Sequence, residues 1–399
     1  MSPRSKKEYL EAIFLRYKQT KTKEQKTKIL DEFCKVCGYH RKHAIRLLRK
    51  FKRFQKPPLK KRGRRPIYGH PAILRTLEGI WLASGMPCAS RLMAVIPLWM
   101  PHYPGGLDLP VIKALRKISA STAKRLLKPA RNKHKIIRLS TTRPGSLLRE
   151  QIPIKTDQWD ETRPGFLEAD TVAHCGESMA GQFVNTIDSV DIATTWTEQR
   201  AVWGRGETDV LEQIKDIERS LPFPLLGFDS DNGGEFLNNH LHRHFTKRRK
   251  GPIQFTRSRP YKKNDNAHVE QKNYTHVRQW LGHDRFERSI IADLLNDLYK
   301  NEWRLYFNFF IPSVKLIEKI RVRSKIVKKH DKPQTPYQRV MEASSDYVSD
   351  ETKRKLKEQF EKLDPFDLKK IIDKKVAKIL SLATKTVPCY KTPLGNILL

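Results

Sequence analysis

The sequence predicts an α/β fold, a mixed sheet flanked by helices, set between a basic all-α N-terminal part and a basic C-terminal extension. Three observations predict it. Residues 165–203 hold three short β-rich runs, GFLEADTVAH, QFVNTIDSV and ATTWTEQRAV, separated by turn-forming residues. From residue 208 helical and strand patterns alternate: TDVLEQIKDIERS, LLGFD, a helix near 235–247, IQFT and a long helix over about 266–281. Charge is uneven, with 37 basic against 8 acidic residues in 1–150, 20 against 23 in 151–300, and 22 against 12 in 301–399.

Those counts leave a net charge of +36, which attracts polyanions through summed Coulomb fields and counterion release. Nucleic acid is therefore the first partner to consider. Hydrophobic residues make up 38%, with 17 Phe, 12 Tyr and 7 Trp, too many for a wholly disordered basic chain. Five scattered cysteines argue against a secreted disulfide framework and fit a reducing cytosol. The N-terminus lacks the apolar core of a signal peptide, and 81–100, which holds Pro87, Arg91 and Pro97, reads as buried core helices rather than a membrane span.

In the N-terminal part, residues 25–36 place Ile29, Leu30, Phe33 and Val36 at helical spacing before Gly38 breaks the pattern. The following run, HRKHAIRLLRKF, sets Arg41, Lys42, Arg46, Arg49 and Lys50 around an Ala44/Leu47/Leu48 seam. Helix, tight turn and basic helix over 1–55 is the pattern of a helix-turn-helix with a recognition helix for the major groove. A second such unit is expected within 70–150, where ALRKI, SAST and AKRLL repeat the order and carry Lys124 and Arg125. The Pro-rich linker 56–69 offers Arg62, Arg64 and Arg65 to a minor groove, or is simply a flexible charged spacer. Cys34, Cys37, His40 and His43 are too closely spaced to fold around zinc, so the cysteines are assigned to helix packing.

Three acids in the middle part fall at telling places. Asp170 lies in the first strand, Asp231 just past the fourth strand in FDSDNGGEF, and Glu270 in the first turns of the long helix in NDNAHVEQKN. Carboxylates that converge repel one another unless a divalent cation neutralises them, and two Mg²⁺ (or Mn²⁺) ions are the natural guests. A two-metal site serves in-line displacement at phosphorus. Asp229, Asp265, Asp188 and Glu168 lie close enough in sequence or strand register to be alternatives.

The motifs EADTVAHCG, PFPLLGFDSDNGGEF, FTRSRPYKKNDNAHVEQKN, NFFIPSVKL and PQTPYQRV together resemble the bacterial insertion-sequence DDE transposases of the retroviral integrase superfamily, over about 165–340. The resemblance implies an RNase H-like catalytic core over 160–310, with the triad and metal ligands at Asp170, Asp231 and Glu270. Sixty residues separate the first pair and 38 the second, the latter a few more than is typical. Gln271 stands where many relatives have Arg, with Lys272 as its substitute at the DNA. Asn232, in a glycine turn, and Arg257, Arg259, Lys262 and Lys263, leading to Glu270, are expected to hold the scissile strand. The implied activity is DNA transposition: binding of element ends, hydrolysis that frees a 3′-OH, and strand transfer into target duplex DNA by at least a dimer at the bacterial nucleoid.

The rest of the chain is less informative. Residues 288–310 read as one apolar helix; 311–399 form a basic C-terminal region in which KLIEKIRVRSKIVKKHDKP alternates as strands or an extended DNA-tracking arm. Two amphipathic helices over 352–382 serve self-association or cap the fold. Two rivals remain, a catalytically silent DNA-binding regulator of transposase descent and a metal-dependent branched-DNA nuclease.

Overall fold

The computed structural model describes residues 1–54, 67–134, 162–230, 236, 239–248, 251–257, 267–322 and 325–384. The chain divides into two compact units, Met1–Pro66 and Ile67–Leu399. In the first, α1 (Pro3–Gln19), α2 (Lys23–Cys37) and α3 (Arg41–Phe54) pack around Ile13, Phe14, Leu30, Phe33, Ala44 and Leu48. The i, i+3, i+4 spacing of these apolar residues puts one stripe of each helix inward. Gly38 ends α2 in the left-handed conformation (φ 68°), which lets the chain turn at once into α3. Burial raises the thiol pKa of both Cys34 and Cys37.

The second unit begins with α4 (Pro71–Ala83), α5 (Ala89–Trp99), α6 (Leu109–Lys117), α7 (Ala120–Leu126) and α8 (Lys128–Lys133). Ser119 caps α7, so the junction with α6 is only Ile118 and Ser119, shorter than the expected SAST turn. Then come β1 (Phe166–Ala173), β2 (Val184–Asp191), β3 (Thr197–Trp203), α9 (Glu207–Ser220), β4 (Gly227–Ser230), α10 (Asn239–Thr246) and β5 (Gln254–Arg257). The five strands make one mixed sheet in the order β3-β2-β1-β4-β5. Strands β1, β2 and β3 run antiparallel to their neighbours, whereas β4 and β5 run parallel to β1. Parallel strands need crossovers; α9 leads into β4 and α10 into β5. Both helices cover one face through Val210, Ile214, Ile217, Leu241 and Phe245, packed on Leu167, Ala169, Ile187 and Phe228.

The other face is covered from the C-terminal side. Helix α11 (Ala267–Lys272) passes through a π-helical turn (Asn273–Arg278) into α12 (Gln279–Leu281), and α13 (Ile290–Leu298) through another (Tyr299–Trp303) into α14 (Arg304–Phe310). The single uninterrupted helices expected over 266–281 and 288–310 are thus each broken by a wide turn. Hairpin β6 (Leu316–Val322) and β7 (Lys325–His330), then α15 (Pro336–Glu342), α16 (Asp350–Glu361) and α17 (Pro365–Ser381), complete the described chain.

Residues 67–399 form one compact unit, which corrects the expected division at 150, 160 and 310. The reason is shared burial. Trp99 of α5 packs edge-on against Tyr306 and Phe366, its indole N–H donates to the Phe310 carbonyl (3.1 Å), and the Tyr306 hydroxyl donates to the Ala83 carbonyl (2.6 Å). The apolar stripes of α4, α5, α14 and α17 cover one another, so none can stand alone in water. Of the two roles offered for the C-terminal helices, α17 caps the fold, burying Phe366, Ile372, Val376 and Ile379.

Gly165 sets the start of the central strand. Its φ of +115° is a conformation side-chain-bearing residues rarely adopt, and a Cβ there would come within 2.5 Å of the Pro224 carbonyl oxygen. Its N–H donates to the buried Asp191 carboxylate at 2.8 Å, and its carbonyl accepts from Leu226 and Gly227. Gly165→Ala is expected to destabilise by about 2–4 kcal/mol, combining backbone strain with a clash against main chain. A fall in the urea midpoint checks this; an unchanged midpoint contradicts it.

Candidate functional site

Side chains alternate across a strand, so Glu168 and Asp170 of β1 share one face of the sheet. Register extends that face sideways: Asp170 is opposite Asp188 of β2, which is opposite Gln199 of β3, and Glu168 is beside Asp229 of β4, which is beside Thr256 of β5. Four carboxyls therefore lie along the centre of a single face. Asp170 is half-buried, and its Oδ2 accepts a hydrogen bond from Asn273 Nδ2 (2.6 Å) while Oδ1 accepts from the Thr171 N–H (2.8 Å). Glu168 is 4% exposed, and its Oε2 accepts the N–H of Val269 (3.2 Å) in the first turns of α11. Asp229 accepts from the Thr256 hydroxyl at 2.6 Å.

Asp188 lies deepest, with no exposed surface. Its Oδ1 accepts from Gln199 Nε2 (2.7 Å), and its Oδ2 takes no hydrogen bond among the described residues. Burial pushes its carboxyl up to about 7, against the opposing pull of the Gln199 hydrogen bond and the Lys272 charge. Lys272 is itself buried, 7% exposed, and loss of water draws its ammonium down to about 8 although Asp188 opposes this. The expectation that Lys272 contacts DNA is corrected by its burial: it lies on the inner side of α11, where it balances the carboxyl behind Asp170.

Glu270 is exposed on α11, the helix tied to β1 through Glu168 and, just beyond its end, through Asn273. Asp231, directly after β4, lies outside the described residues, as do Asn232, Arg259, Lys262, Lys263, Arg62, Arg64 and Arg65. Among the described residues no three His, Cys, Asp or Glu groups converge as a metal site. Arg257 ends β5 opposite Ser230. In the first unit Arg41, Lys42, Arg46 and Arg49 are exposed on α3, with Arg41 paired to Asp31 of α2; Lys124 and Arg125 are exposed on α7.

Asn273 and the tether from Glu168 to α11 were not foreseen as site features. Asn273 stands three residues after Glu270, a helical spacing that was there to be read. The Lys272–Asp188 pairing had no local signal, because it joins residues far apart in the chain.

The fold and site define an α/β protein with a five-stranded mixed sheet whose central strands present a row of carboxyls beneath a tethered helix. The chain belongs to the same family as "Uncharacterized protein y4rM" of Sinorhizobium fredii (strain NBRC 101917 / NGR234), to which it is 38% identical over 344 residues, covering 85% of this chain and 96% of that protein. That name assigns no activity. No family model matches the chain. Among solved structures, the catalytic core domain of BIV integrase aligns with 44% of this chain and 91% of its own at 14% identity and a TM-score of 0.27, a superposition too loose to carry an argument. No helix among the described residues is long and apolar enough to cross a membrane.

Proposed function

We propose that this protein is a DNA transposase of the DDE type, with an RNase H-like core that hydrolyses a phosphodiester at an element end and transfers the freed 3′-OH to target DNA. The observation that carries this reading is Asp170 on the central strand of a β3-β2-β1-β4-β5 mixed sheet, hydrogen-bonded to the segment that follows Glu270. Strand β4 ends beside β1 one residue before Asp231, so the three acids of the motif are carried by adjoining elements.

The donor chemistry fits a hard divalent cation, because Asp170, Asp231 and Glu270 offer only carboxylate oxygens. Those three residues would hold Mg²⁺ or Mn²⁺, two ions in the full site, which when bound supply positive charge against the charge developing at phosphorus. The chain's own groups do the rest. Asn273 fixes the Asp170 carboxylate in orientation, Glu168 anchors the helix bearing Glu270, and the Lys272–Asp188 pair moderates the negative charge behind them. The helix-turn-helix of α2 and α3 reads DNA ends, with Arg41, Lys42, Arg46 and Arg49 toward the duplex. Lys124, Arg125, Arg62, Arg64 and Arg65 add phosphate contacts, and Asn232, Arg257, Arg259, Lys262 and Lys263 hold the scissile strand. Two ends must be held together, so a homo-oligomer acts in the synaptic complex.

The test is to incubate the full chain with labelled ends taken from the DNA flanking its coding region, plus plasmid and Mg²⁺. Cut and joined products support the reading. Binding without cutting identifies a regulator, and cutting without joining identifies a nuclease.

A further inference from the structure

The hairpin β6–β7 forms its own two-stranded sheet, separate from the main one. Residues 315–330 hold seven Lys and Arg against one acid, Glu318. The register sorts them. Glu318 opposite Lys329 and Ile320 opposite Val327 share one face, whereas Lys319 opposite Lys328 and Arg321 opposite Ile326 share the other. The lone acid is engaged on its own face, where Glu318 and Lys329 stand 3.9 Å apart. The second face therefore carries three cations and no anion.

Such a ribbon gains little from burial, because Ile317, Ile320 and Val327 are 61%, 42% and 49% exposed. Like charges directly across a strand pair oppose the pairing, and a two-stranded hairpin is marginal by itself. Its base is nevertheless firmly held. The Lys315 N–H donates to Asp331 Oδ1 (2.6 Å), the Asp331 N–H returns a bond to the Lys315 carbonyl (3.0 Å), and Arg339 donates to Asp331 Oδ2 (2.5 Å) and the Ser313 carbonyl (3.2 Å). An anchored arm whose one face is purely cationic matches a polyanion of regular charge spacing, and a two-stranded ribbon has the width of the DNA major groove.

We infer that β6–β7 is a duplex-DNA-binding arm whose Lys319/Arg321/Lys328 face meets the phosphates. This rests on the reading of the chain as a DNA-acting enzyme and adds a contact surface that the catalytic triad does not require. The alternative occupant of an open strand pair is a second copy of the chain, which like-charged faces disfavour.

The test measures binding of the full chain to a duplex of arbitrary sequence by fluorescence anisotropy across a salt series. Arg321→Ala/Lys328→Ala removes two cations from the acid-free face at exposed positions. It is expected to make the slope of log Kd against log salt shallower by about 2, near 0.9 per phosphate released. Lys329→Ala, on the opposite face, is expected to leave the slope nearly unchanged, and Arg321→Lys/Lys328→Arg to preserve it. If the wild type binds and the double variant keeps its slope, the arm is refuted while the enzymatic reading stands. If that variant keeps the slope and loses self-association by sedimentation, the ribbon is a subunit contact and the arm is equally refuted. A wild type that binds no duplex at any salt overturns the DNA reading itself, and the arm with it.

Discussion

Asp170→Asn is expected to lower end cleavage and joining by at least about 10³-fold, equivalent to about 4 kcal/mol of transition-state stabilisation. The substitution conserves shape. Its side-chain oxygen still accepts from Asn273, so strand β1 and the helix beyond it should keep their positions. What is lost is the negative charge required to hold a divalent cation. Removing an anion from beside a phosphate backbone does not weaken attraction to DNA, so affinity for element ends should stay within about two-fold. Single-turnover cleavage and anisotropy on the same preparation separate the two effects. Joining that survives within tenfold contradicts the assignment of Asp170; binding lost in parallel with joining shows that the variant acts through folding instead.

Arg200→Met is expected to destabilise the second unit by about 3–5 kcal/mol, the usual cost of removing one member of a buried charge network. Arg200 is fully buried, and its Nε donates to Asp216 of α9 (2.6 Å), Nη1 to Glu198 (3.2 Å) and the Gln199 carbonyl (2.7 Å), and Nη2 to Ser220 (2.8 Å). Glu198 is equally inaccessible and also accepts from Arg304 of α14 and the Trp196 indole. One guanidinium thus ties edge strand β3 to α9, and the carboxylate it shares reaches α14. Methionine fills the space but leaves two carboxylates with too little positive charge. Urea unfolding measures the loss, and a change under about 1 kcal/mol contradicts the network. Adding Glu198→Gln should recover part of the stability.

The same network predicts an acid limb. Burial pushes the Asp216 carboxyl up, but the hydrogen bonds and charges of Arg200 and Lys300 outweigh it and hold the group down to about 2, below its ordinary 3.8. A depressed folded-state pKa stabilises above 3.8, and that contribution is lost as pH falls toward 2. Arg200→Met should flatten stability against pH in that window. An unchanged slope between pH 4 and 2 would mean that Asp216 is not held by Arg200.

Local pattern and long-range packing divide what was legible. The five strands and their order along the chain could be read from period-two runs, because a strand declares itself over a few residues: QFVNTIDSV reads as β2 and IQFT as β5 without reference to anything distant. The basic alternation at 315–330 likewise reads as strands, and it is a hairpin. The two π-helical turns were not readable, since Asn273–Arg278 and Tyr299–Trp303 continue an ordinary helical periodicity and their extra residue is absorbed only where the helix packs.

By itself the sequence determined the alternation of strands and helices, the segregation of charge and the carboxylates offered at β1, after β4 and on α11, because each depends on neighbours within a turn or a strand. Only the tertiary structure decided that 67–399 share one core, that Lys272 turns inward to Asp188 and that Asn273 binds Asp170. Those outcomes depend on which apolar faces cover one another and which charges lose water together, and such choices are made between segments a hundred residues apart.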